Sequence, residues 1–270
     1  MEQLDPIAAQ QADNLIYWAA RTAKTQEELT TKNIEQAQKQ LARYYASAQK
    51  AVIEDFIATY EHLLLRAESG KVTPADLYKL GRYWEMQNAL AEELQNLGNR
   101  QAMALEKVFV RQYQEIYANL AIPSEKAFAT ISKQAALQAI NTIWCADGKS
   151  WSTRIWENTE LLKQELNDKL IETVTAGRKP TQLKRDLLER FGVAFYCADR
   201  VVRTESAHIA AQSAQQRYID SGITEMQVWA SKDERRCDVC GKLHEKKYPV
   251  HAISPLPAHP NCRCTLIPVI

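Results

Sequence analysis

Glycine and proline are scarce in this 270-residue chain, which has eight of the first and nine of the second. β-Sandwiches and barrels need frequent tight turns built from these two residues, so the shortage argues for long helices. Charge of one sign is also missing. The 34 Lys and Arg are balanced by 33 Asp and Glu, a formal net charge of +1. That excludes a histone-like basic protein and an acidic disordered tail, while leaving room for a local basic patch. No apolar run approaches the ~20 residues that cross a bilayer, so no membrane association is expected. The opening Met1-Glu2-Gln3-Leu4-Asp5-Pro6 has neither the basic start nor the apolar stretch of a secretion signal, which points to the cytoplasm. What is present is ordinary: 46% hydrophobic and 25% charged residues, enough for a sizeable core in one large or two smaller domains.

Helical periodicity dominates the first two thirds. From Ile34, apolar residues recur at Ala37, Leu41, Tyr44, Ala48, Val52, Phe56, Tyr60 and Leu63, in steps of three and four. Thr73 and Pro74 read as the N-cap and first position of a second helix carrying Leu77, Leu80, Tyr83, Trp84 and Leu90. A break is expected near Gly98-Asn99, then a third helix over about 100–121. Pro123-Ser124 is the next breaker, followed by a helix over 126–144. These segments predict a helical N-terminal region, 1–145, packed as an antiparallel hairpin. The polar turn Ala146 to Ser150 is the best boundary, opening a second region, 146–270. It carries helices from Trp151 to Gly177, from Pro180 to Gly192, and from Ala194 to Ser221, with Gly222 as the stop. Beyond it, 226–230, 248–251 and 265–269 alternate like strands. The predicted fold is mainly α, with long N-terminal helices, a helical domain, and a small β-rich module over 226–270. That module has too little apolar content for a core of its own, and such modules usually rely on a metal or a disulfide.

Four of the six cysteines lie between Cys237 and Cys264. In a reducing compartment clustered cysteines are metal ligands or catalytic residues more often than disulfides. Cys237-Asp238-Val239-Cys240 turns two sulfurs toward one point, half of a tetrahedral zinc site. His259-Pro260-Asn261-Cys262 has the same spacing, and Cys264 shares a face with Cys262 if the chain is extended there. The expected ligands of one structural zinc are Cys237, Cys240 and His259, with either Cys262 or Cys264 as the fourth. A catalytic zinc would want an open position and a nearby acid or base. The zinc-deaminase pattern fails, because Ala210 stands two residues after His208 where Glu is required. No glycine-rich phosphate loop occurs.

Two further groups stand out. Arg200 and Arg203 are three apart on one helix face, and buried pairing with Asp199 or Glu205 would anchor the helix, with Arg203 and Glu205 as structural residues. From Arg200 to Ile270 there are ten Lys or Arg and seven Asp or Glu, ten minus seven giving +3. Arg235, Arg236, Lys246, Lys247 and Arg263 are candidates for phosphate or partner contact, with nonspecific DNA as one such partner. A zinc-ribbon DNA-binding protein, and a zinc-dependent enzyme using Glu205, are the rival readings.

In order along the chain stand Arg203-Thr204-Glu205, Gly222, Trp229, Asp233 to Cys237-x-x-Cys240, and His259-Pro-Asn-Cys262-Arg263-Cys264. This succession, with Trp151 and Gly177-x-x-Pro180 upstream, resembles the phage head morphogenesis family, the minor head proteins similar to protein F of phage Mu. Tyr17-Trp18 and the tyrosine-rich helices are similar to minor capsid proteins of tailed phages that infect Gram-positive bacteria. The resemblance implies a non-enzymatic protein of the virion, inside the capsid and in the host cytoplasm during assembly. It also implies portal, capsid or scaffold proteins as partners and a role in procapsid assembly and genome packaging or delivery.

Overall fold

The structure, a computed structural model, describes residues 6–66, 75, 82–120, 122, 130–230 and 236–270. Long helices make up most of it: α1 (Pro6–Arg66), α2 (Arg82–Asn119), α3 (Lys133–Ile140), α4 (Trp151–Thr175) and α5 (Pro180–Asp220). Then come β1 (Glu225–Trp229), the short helix α6 (Asp238–Leu243), β2 (Lys247–Pro249) and β3 (Thr265–Val269). The mainly helical fold with a small C-terminal strand region is the one its sequence predicts. Thr73, Pro74, Leu77, Leu80, Pro123 and Ser124 lie outside the described residues.

The α1 seam is Ala37, Leu41, Tyr45, Ala48, Val52, Phe56, Tyr60 and Leu63, all buried. Tyr45, not Tyr44, occupies the seam, because steps of four from Leu41 keep a 3.6-residue period on one face. On α2 the buried positions run Tyr83, Met86, Leu90, Leu94 and Leu97, then continue through Leu105, Val108, Phe109 and Tyr113. The expected break at Gly98-Asn99 does not occur. Gly98 sits inside α2 because the Trp156 ring covers it, and a Cβ there would lie 2.3 Å from the indole. The expected break at Gly192 is likewise absent, and α5 runs on to Asp220. Burial of Leu187, Phe191, Ala194 and Ala198 on one stripe outweighs the ~1 kcal/mol helix penalty of one glycine. The expected helix over 126–144 is described as α3, capped by the Ser132 hydroxyl, which accepts from the Ala135 N–H at 3.1 Å.

The chain forms two compact units, one from Met1–Ala37, Leu105–Ile143 and Val202–Ile270, the other from Gln38–Ala104 and Trp144–Val201. This differs from a division into 1–145 and 146–270. The polar turn near 146 ends helices, but α1, α2 and α5 each contribute residues to both units, so turn signals do not mark the units' limits. In the second unit the core tyrosines bury their rings and hand their hydroxyls to nearby acceptors. Tyr45 donates to the Ala194 carbonyl at 3.2 Å and Tyr60 to that of Arg178 at 2.6 Å.

The first unit holds the sheet. Its order is β2-β1-β3, with both pairings antiparallel. Gly222, at φ +77, closes α5, a conformation a side chain would strain, and turns the chain into β1. Pro268 falls on β3 opposite Met226, and among the described residues β3 is an edge strand paired with β1, as suits a residue without an N–H. The fully buried Tyr218 of α5 donates its hydroxyl to the Leu266 carbonyl at 2.7 Å, fixing β3 to the helix. Met226, Val228, Leu266, Cys240, Cys262 and Cys264 share one core with Ile116, Leu120, Ala210, Ala214 and Tyr218. The module therefore completes its core with helix side chains, each buried aliphatic or aromatic contributing ~1.5–3 kcal/mol.

Candidate metal centre

Cys237 is the N-cap of α6. Its backbone is extended, at φ −79 and ψ 163, and its Sγ accepts from the Cys240 N–H at 3.4 Å. The Gly241 N–H meets the Cys237 carbonyl at 2.8 Å, closing the turn. Both sulfurs of Cys-x-x-Cys are thereby turned inward, with Cys237 half-buried and Cys240 buried. The second loop closes through the Cys262 N–H on the His259 carbonyl, 3.2 Å. Between them Asn261 takes a left-handed φ of 61°, which asparagine tolerates better than most residues. Cys264 follows where the chain extends into β3.

The two loops converge. His259 Nε2 is 3.2 Å from Cys237 Sγ and 3.1 Å from Cys240 Sγ, and Cys240 Sγ is 3.8 Å from Cys262 Sγ. Two triads, Cys237–Cys240–His259 and Cys240–Cys262–Cys264, share Cys240, and within each the donor atoms lie within 4.8 Å of one another. A tetrahedral zinc with bonds of ~2.3 Å to sulfur separates its donors by about 3.8 Å. The donor set therefore fits a soft or borderline metal ion. His259 Nδ1 is 2.8 Å from the Pro260 carbonyl. A proton on Nδ1 donates to that carbonyl and leaves the Nε2 lone pair facing the sulfurs, the arrangement that orients a ligating histidine.

Proton affinities in the cluster are spread apart. The Cys240 N–H on its sulfur holds the Cys237 thiol below its ordinary value. Burial pushes Cys240 up to about 12. The Cys264 thiol donating to its sulfur, aided by the backbone N–H groups of Cys264 and Ala258, brings Cys262 down to about 5. Cys264 is raised as the other half of that bond. The Pro260 carbonyl raises His259. Within that bond the lowered proton affinity falls on Cys262, the acceptor, and the raised one on Cys264, the donor.

Other expected residues lie elsewhere. His251 is exposed, and His244 directs Nδ1 to the Ala230 N–H at 3.3 Å and packs edge-on to Trp229. Neither belongs to the two donor triads. Arg236, Lys246, Lys247 and Arg263 are exposed, Arg236 donating to the Gly241 carbonyl at 3.1 Å. Arg235 lies outside the described residues. The expected buried arginine does not materialise: Arg200 and Arg203 are exposed, whereas Glu205 is buried. Three residues apart is one face, but at this turn of α5 that face looks to solvent. Asp199 accepts from Gln38 Nε2 at 2.6 Å. Thr204, between the two residues of interest, was not singled out by sequence, yet its hydroxyl accepts from the Asn261 N–H at 3.2 Å. No spacing signal marks a contact across 57 residues.

Residues 164–267 match the family model described as phage Mu protein F like protein. Comparison with curated proteins and with solved structures returns no match. The matched segment runs from α4 into β3 and contains all five donors of the cluster. Over residues 164–267 this chain is thus similar to the phage Mu protein F-like family, a match that supports a phage head morphogenesis protein.

Proposed function

We propose that this chain is a minor capsid protein of a tailed phage, resident in the capsid interior and in the host cytoplasm during assembly. In this reading it contacts the portal and neighbouring capsid or scaffold proteins, and assists procapsid assembly and genome packaging or delivery. The observation that carries the reading is the family match over residues 164–267, which encloses the whole cysteine and histidine cluster.

The cluster is a structural site for one zinc ion in this proposal. Cys237, Cys240, His259 and Cys262 would hold it, and the ion would supply a crosslink between the two loops. Cys262 is preferred to Cys264 because it closes the turn with His259 and carries the low proton affinity. A structural role is favoured over a catalytic one because five protein donors crowd the site, whereas a catalytic zinc keeps a position for water. The exposed Arg236, Lys246, Lys247 and Arg263 suit contact with DNA phosphates or an acidic protein surface.

Native mass spectrometry of the purified chain, alone and mixed with the portal protein of the same phage, tests both halves. One zinc per chain and a complex with the portal ring are expected, with zinc retained in Cys264→Ser and lost in Cys262→Ser. Zinc without portal binding would overturn the portal assignment, and sequence-selective DNA binding would replace it with a regulator. Absence of zinc would overturn the metal assignment.

A further inference from the structure

We propose that Thr204 is the positioning residue of the metal centre, a latch on α5 that holds the His259–Cys262 turn in its chelating form. The proposal rests on the metal reading above and deepens it. The turn is built around the left-handed Asn261, at φ 61°. Asparagine tolerates that conformation better than most residues, so what the exposed turn gains from an external hydrogen bond is a fixed geometry. The Thr204 hydroxyl provides one, accepting from the Asn261 N–H at 3.2 Å.

Thr204 belongs to a longer face. His208, four residues on, is buried with its ring near enough to the Leu256 backbone for that group to raise its proton affinity. Gln215, seven further, donates from Nε2 to the Val250 and Ala252 carbonyls, each at 2.7 Å. Steps of four and seven keep the three on one side of α5. That side therefore meets residues 250–261 at the beginning, middle and end of the irregular stretch that leads to the ligands. Thr204 is the contact nearest the donors, one residue from Cys262 and two from His259 in the loop it holds.

The chemistry separates positioning from stability. Asn261 is exposed, so water can take over its N–H when the hydroxyl is gone. Thr204→Val then keeps the volume and removes the hydroxyl that fixes the geometry of the turn. Removing partners that orient metal ligands typically weakens metal binding by about 10–100-fold. Thr204→Ser keeps the oxygen and should restore it.

Zinc affinity is measured by competition with a chromophoric chelator on the full chain and on both variants, with helicity followed by circular dichroism. Zinc binding at least about tenfold weaker in Thr204→Val, parental binding in Thr204→Ser and unchanged helicity would support the latch. Parental affinity in Thr204→Val would overturn the latch and leave the metal assignment standing. A parent chain that binds no zinc would overturn both. If Thr204→Val fails to fold, hydrogen exchange on the zinc-loaded parent decides. A protected Asn261 amide supports the proposal, and one exchanging at the rate of free loop amides overturns it.

Discussion

Burial of His208 makes a proton-linked contribution to stability that can be stated with its sign. The side chain is 6% exposed, and burial brings its pKa down to about 4, against the opposing effect of the Leu256 backbone. An unfolded histidine titrates near ~6.5. The folded state therefore holds the neutral ring while the unfolded state takes up a proton. The contribution is fully present above pH ~6.5 and is lost as pH falls from there toward 4, by about 3 kcal/mol in all. Urea unfolding at pH 7.5 and 4.5 measures it. His208→Gln should lose less stability over that interval than the parent, and since both proteins share the cysteine cluster, the difference isolates this ring. Equal pH dependence would mean that His208 is hydrated in the folded state. Sequence alone placed His208 on a helix but had no means of seeing Leu256 beside it. The convergence of the cysteine and histidine side chains is far more legible, because Cys-x-x-Cys and His-x-x-Cys each carry their own loop geometry. Thr204 was illegible for the opposite reason: its partner is a backbone N–H, and any residue except proline offers one.

Helix boundaries depend on competition between local propensity and packing, and that competition decided where the reading of elements failed. In sequence, Gly98 and Gly192 both read as stops. Neither stops a helix, because the apolar stripes on α2 and α5 continue in phase across them. The helix ends legible in sequence are those with the full chemistry of a cap: Ser150 accepting from the Thr153 N–H at the start of α4, and Gly222 at positive φ after α5. Gly98 has a packing reason, since a methyl group there would meet three atoms of the Trp156 ring at 2.3–2.9 Å. Gly98→Ala should gain about 1 kcal/mol of helix propensity and lose ~1–3 kcal/mol to displacement of the indole, a net destabilisation. The diagnostic is its sign in a second background. In a Trp156→Leu protein the same Gly98→Ala change should stabilise, approaching the full propensity gain. Destabilisation of similar size in both backgrounds would show that the ring is not what keeps residue 98 small.

At the scale of the molecule, the question is how much of the chain would depend on the proposed metal. A module of this size lacks a self-sufficient core, and small metal domains commonly unfold when their ion is removed. Here Cys240, Cys262 and Cys264 instead share a core with Ile116, Leu120, Ala210, Ala214 and Tyr218 from α2 and α5. The hydroxyl of Tyr218 and the amide of Gln26 also bind the Leu266 carbonyl of β3. The strands should therefore stay attached to the helices when the metal leaves, while the loops at 236–244 and 250–264 come free. An ion present at a thousand times its dissociation constant stabilises by about 4 kcal/mol, so a strong chelator, or Cys237→Ser or Cys240→Ser, should remove a contribution of that order. Hydrogen exchange followed by mass spectrometry locates the loss. Peptides covering 236–264 should lose protection, those from α2 and α4 should retain it, and helical ellipticity should hardly change. Loss spread evenly through the helices would mean that the ion governs folding of the whole chain. Unaltered exchange everywhere would remove any structural role for the metal, and the helix contacts of α5 would be sufficient to hold the β module by themselves.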